Sequence, residues 1–74
     1  MTQLERIISG IDKIENDLTL KADYAEEKEM LDQINSDLSV MARLGAPRWK
    51  VNDAKDRIHR IKEWMNEEES AALR

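Results

Sequence analysis

A single histidine, His59, occurs in this chain of 74 residues, with Asp56 three positions before it and Glu63 four after it. On a helix those offsets gather all three groups on one side, the spacing from which carboxylate–imidazole metal sites are built. Two features weigh against that chemistry. Helical di-metal sites turn their ligands inward and take Glu-x-x-His from each of two helices. Here the leading residue is Asp, and the heptad pattern described below puts His59 on an outward position. The chain has no cysteine, so thiolate zinc sites, disulfide staples and a cysteine nucleophile are excluded. No Gly-rich phosphate loop and no Ser–His–Asp set can be assembled either. The expectation is a non-enzymatic protein without a cofactor or a structural metal.

The chemistry that remains is that of association. Arg43, Arg48, Lys50, Lys55, Arg57, Arg60 and Lys62 surround Trp49, and Trp64 follows. Aromatic residues with arginine nearby are typical anchors of protein interfaces. Trp49, Trp64, Arg48, Lys50, Arg57 and Arg60 are therefore the candidate partner-binding residues. The competing structural role for both tryptophans is to cover the ends of a small core. A basic helix over 48–62 also suits a dimeric nucleic-acid-binding regulator, with Trp49 stacking on a base. Net charge opposes that alternative: the pI is about 4.9, and acidic segments flank the patch. Residues 1–42 carry four basic and ten acidic side chains, a net of −6. Residues 43–62 carry seven basic and two acidic, +5, and residues 63–74 one basic and four acidic, −3. A membrane-surface role for the basic helix is weaker still, since Asp53, Asp56 and the glutamates after residue 66 oppose it.

The elements that must position these groups are three aliphatic ladders. Leu4, Ile7, Ile11, Ile14 and Leu18 form the first; Leu31, Ile34, Leu38 and Met41 the second; Val51, Ala54, Ile58, Ile61 and Met65 the third. Steps of alternating three and four put each set on one stripe of an α-helix. Ile8 widens the first stripe, which implies two neighbouring helices. Helices are expected over about 2–20, 24–44 and 48–66, followed by a fraying acidic tail over 67–74. Thr2 with Glu5 has the form of a capping box, and Asp23 with Glu26 resembles an N-terminal cap. The ladders lose phase between residues 18 and 31, which predicts a tight turn there; one bent helix over 2–44 is the alternative. Gly45 suits the left-handed position after a helix end, and Pro47 the first turn of the next.

The fold class expected is all-α within a single domain, 1–74. It is either a compact three-helix bundle or a helical hairpin plus third helix, with coiled-coil-like packing, in the second case completed by homodimerisation. So short a chain buries a small fraction of its surface, which favours self-association. With Val51, Ile58 and Met65 at heptad position a, the seam of the third helix is flanked by Lys50 and Arg57 on one side. Lys55 and Lys62 flank the other. Two such helices would repel one another, so the third is expected to meet acidic neighbours: Glu15 and Asp17 of the first, Asp37 of the second. Asp53 with Arg57 and Asp56 with Arg60 have the favourable spacing for pairing along the helix. No signal peptide and no apolar run of membrane-spanning length is visible, and a cytoplasmic location is expected. The function that fits most of the chain is stoichiometric protein binding by a small adaptor, regulator or inhibitor.

Overall fold

The computed structural model describes residues 3–19 and 23–72. Helix α1 spans Gln3–Asn16, α2 Ala25–Arg43 and α3 Arg48–Ala72, and each helix packs against the other two. The chain is thus a small all-α bundle, and the phase slip marks a hairpin turn rather than a bend. Thr2, residues 20–22 of the turn and residues 73–74 of the acidic tail lie outside the described residues.

The three ladders are buried unequally. All five members of the third are enclosed, from Val51 to Met65. In the first two, only every seventh position is fully buried: Leu4 and Ile11 of α1, Leu31 and Leu38 of α2. Their alternates Ile7, Ile14, Ile34 and Met41 pack on the core but stay partly exposed, as does Leu18, which continues the Leu4–Ile11 row beyond the end of α1. The reason is geometric. Helix α3 lies against one side of the α1–α2 pair and covers one row of each stripe, while among the described residues no fourth helix lies on the opposite side. Ile8 packs on the core beside α3, as its extra width implied.

The α2–α3 connection closes by backbone hydrogen bonds. Ala46 N–H donates to the Met41 carbonyl (3.0 Å) and Gly45 N–H to that of Ala42 (3.3 Å), with Gly45 at φ +99°. This is the six-to-one and five-to-two pairing of a Schellman end, which requires a left-handed residue at Gly45. Pro47 stands just before α3 rather than inside its first turn, and its carbonyl accepts from Val51 N–H (3.1 Å).

The start of α2 departs from expectation. Asp23 Oδ1 accepts from Ala25 N–H (2.9 Å), so the aspartate does act at this end. Tyr24, however, is the residue preceding the helix, and its N–H donates to Glu69 Oε2 of α3 (2.9 Å). The Tyr24 hydroxyl donates to the Thr19 carbonyl (2.8 Å), and its ring, wholly buried, lies 5.7 Å from that of Trp64. Lys28 pairs with the same Glu69. These bonds explain a second correction: α3 does not stop near residue 66 but continues to Ala72. A glutamate run at a helix C-terminus opposes the macrodipole. Here one of its members is docked against another helix's N-terminus and a lysine, which offsets that penalty.

The Lys28 ammonium, and then the Tyr24 N–H, hold the Glu69 carboxyl below its ordinary range. A depressed carboxylate stabilises the fold above its unfolded pKa and loses that contribution as pH falls through the folded value. Glu69→Gln is expected to lower the melting temperature at pH 7. Thermal denaturation followed by circular dichroism should show the gap narrowing as pH falls below the ordinary carboxylate range. A gap independent of pH would assign the effect to packing instead.

Candidate functional site

Charges beside the third seam point where their neighbours dictate. Arg57 reaches α1, with Nη2 donating to Asp12 Oδ1 (2.5 Å) and Glu15 Oε2 (3.2 Å). Its pKa is raised, chiefly by the bond to Asp12. On the other flank Lys62 pairs with Asp32 of α2, and Lys55 Nζ donates to Ser39 Oγ (2.7 Å). A basic α3 therefore meets acidic helices within one chain. The acidic partners differ in part from those expected. Asp12 and Glu15 serve α1 rather than Asp17 with Glu15, because they are three residues apart on the side facing α3. Asp32 serves α2 in place of Asp37, which instead accepts from Gln33 (3.2 Å). Arg60 pairs with Asp56 (2.8 Å) as its spacing suggested. Asp53 does not pair with Arg57, since α1 supplies closer carboxylates.

The six candidate binding residues fall into two groups. Arg57, Arg60 and Trp64 lie along the α1–α3 side, around a shallow cleft with Glu15, Leu18 and Ile61. Trp64 is half-buried against Tyr24, and both arginines have intramolecular carboxylates. Arg48, Trp49 and Lys50 sit in the first turn of α3 at the other end of that cleft's helix. Trp49 is 70% exposed, with Lys50 Nζ 5.5 Å from its ring centre, a cation–π contact. Leu44, at the end of α2, is 73% exposed, and Val40 lies one turn behind it on the same face. Among the described residues neither Arg43 nor Arg48 forms an ion pair.

This tip is built against its own helix. The first turn of α3 has no acidic residue. Arg48 and Lys50 stand at the positive end of the macrodipole, where cations cost rather than stabilise, by about 0.3–1 kcal/mol each. Trp49 is left in water beside them, and Leu44 and Val40 are exposed at the end of α2. Sequence reasoning found Arg48, Trp49 and Lys50 but missed Leu44 and Val40, which lie off the second ladder's stripe and carried no pattern of their own.

His59 is exposed and its Nε2 lies 2.9 Å from Glu63 Oε1. Among the described residues no three potential ligands are gathered as a metal site would require. No described helix is long and apolar enough to cross a membrane. A second surface opens between α1 and α2 on the side away from α3. It is a groove of about 550 Å³, floored by Gly10, Ile14, Leu18, Tyr24 and Ile34, with Met30 at its lip. No family model, no curated protein and no solved structure matches the chain.

Proposed function

We propose that this protein is a non-enzymatic binding module, a small adaptor, regulator or inhibitor that works by occupying the surface of a partner protein in the cytoplasm. One observation carries the reading: the exposed Trp49, flanked by Arg48 and Lys50 that oppose the helix dipole. Charge and apolar area held there at the fold's expense fit a partner surface with an apolar pocket rimmed by carboxylates. The engaged cations of α3 favour protein over nucleic acid. A helix reading a nucleic-acid groove would present its cations outward, whereas Arg57, Lys55 and Lys62 are engaged with α1 and α2.

The test is capture of partners from the native cell followed by affinity measurement with purified components. Trp49→Ala is expected to weaken binding by at least about 2 kcal/mol, roughly thirtyfold, as for an interface anchor. The melting temperature should stay near wild type. In parallel, duplex DNA and single-stranded RNA should bind negligibly at moderate salt. Tight nucleic-acid binding with a steep salt slope, flattened by neutralising Arg48 and Lys50, would replace this reading with the nucleic-acid one.

A further inference from the structure

The three helices are not held equally. Helices α2 and α3 are joined at both ends. The Schellman turn closes one end, and at the other Glu69 accepts from Tyr24 N–H and pairs with Lys28. Between the ends, Lys62 meets Asp32 and Lys55 donates to Ser39 (2.7 Å). Helix α1 is held more loosely. It adds two fully buried side chains, Leu4 and Ile11, while Ile7, Ile8 and Ile14 stay partly exposed. Arg57 ties it to α3 through Asp12 and Glu15, whose side chains are 52% and 49% exposed. Ion pairs so open to solvent contribute little.

Helix α1 also carries its own weak point. Its 14 residues are about the length at which an isolated helix is marginal in water. Gly10 interrupts its middle, and glycine is the poorest helix former after proline. The fold does not demand it. Its φ is not positive, and an added Cβ would meet Ile34 Cδ1 at 3.8 Å, an ordinary contact.

We infer that α1 is a detachable cover: it leaves the α2–α3 hairpin and melts as a unit while that hairpin stays folded. Gly10 sets how readily it does so. Proteins open in contiguous units, and those with few buried apolar contacts open first. The open form bares Ile34, Ala54 and Ile61, which in the closed form lie beside Gly10, Ile8 and Leu18 respectively. It also releases Arg57 from its two carboxylates. An apolar face with a free cation is thus kept under α1 and shown only when that helix lifts. Trp49 belongs to α3 in both forms, so partner binding at the tip does not depend on this opening.

The experiment is hydrogen exchange of the full chain, read by mass spectrometry under conditions where the rate reports the opening equilibrium. Amides in the middle of α1, over residues 8–14, should exchange at least about tenfold faster than those in the middle of α2 and α3, after correction for intrinsic rates. Fraying is confined to end turns and does not produce that difference. Glu69→Gln acts on the α2–α3 pair. It should speed exchange in α2 and α3 and leave α1 unchanged, because α1 opens without disturbing that contact. Gly10→Ala should slow exchange in α1 by about two- to fivefold, since it removes the glycine penalty without strain. Equal protection in all three helices overturns the proposal, because opening is then global. So does a Glu69→Gln variant that speeds α1 in step with the others. An unchanged α1 rate in Gly10→Ala overturns the role given to Gly10.

Discussion

Tyr24→Ala is expected to lower the melting temperature by more than about 12 °C. Truncating a buried aromatic costs about 3–5 kcal/mol through lost transfer energy and the cavity left behind. In a domain of this size each kcal/mol moves the midpoint by about 4–8 °C. Tyr24 is among the largest fully buried side chains, and it joins all three structural levels of this end of the bundle. Its hydroxyl ties the turn through the Thr19 carbonyl, its ring meets Trp64 of α3, and its N–H is held by Glu69. Total stability for such a chain is only several kcal/mol, at roughly 0.05–0.15 kcal/mol per residue. Much of it rests on this one position. Tyr24→Phe should cost only about 1 kcal/mol, the net worth of a single hydrogen bond. Equal losses for Phe and Ala would show that the ring's packing contributes nothing, contrary to this account.

A second large effect is expected from Ile58→Asp. Ile58 stands in the middle of the fully enclosed ladder of α3 and is almost wholly buried. The substitution removes an aliphatic side chain and introduces a carboxylate where no described partner awaits it. Losses above about 4 kcal/mol are typical of that combination. The variant should be largely unfolded at pH 7 by circular dichroism. Its pH dependence runs opposite to that of Glu69. Burial raises the folded-state pKa of the new carboxyl, so the penalty grows as pH rises from the unfolded value toward the folded one. Helicity should therefore return as pH is lowered toward about 4. Continued unfolding at every pH would mean that the lost packing alone exceeds the stability available.

Much of the fold is legible in the chain because helical burial is periodic. The three ladders, Gly45 after α2 and Pro47 before α3 locate the helices to within a few residues. The flanking cations of α3 indicate which neighbours it would accept, and Arg57 and Lys62 meet carboxylates of α1 and α2. Less legible were the ends that depend on another helix. Glutamate and alanine are good helix formers, but a glutamate run near a C-terminus opposes the macrodipole. The contacts of Glu69 with Tyr24 and Lys28, far away in sequence, help the helix continue. Tyr24 precedes the second ladder but stands seven residues before Leu31, in the buried row of Leu31 and Leu38. Its position on that row is periodic, but its contacts with Trp64, Glu69 and Thr19 are not encoded by periodicity.

The candidate sites divide the same way. Arg48, Trp49 and Lys50 stood out by residue type, but so did Arg57, Arg60 and Trp64, and only the structure separates the two groups. The first three are exposed, and none of them forms an ion pair among the described residues. The others are engaged with Asp12, Glu15, Asp56 and Tyr24, although Arg60 is itself exposed.

What the amino-acid order determined by itself is the class of protein: three amphipathic helices, their stripes, and the sign of charge along each seam. Tertiary structure decided which half of each stripe is covered. A ladder specifies that a helix face must leave water, but its period is the same whether one neighbour or two will cover it. Placing α3 on one side of the α1–α2 pair encloses Leu4, Ile11, Leu31 and Leu38 and leaves Ile7, Ile14 and Ile34 half-open around Gly10. That asymmetry arises from packing three cylinders rather than four, and it turned a uniform pattern into a core and a groove.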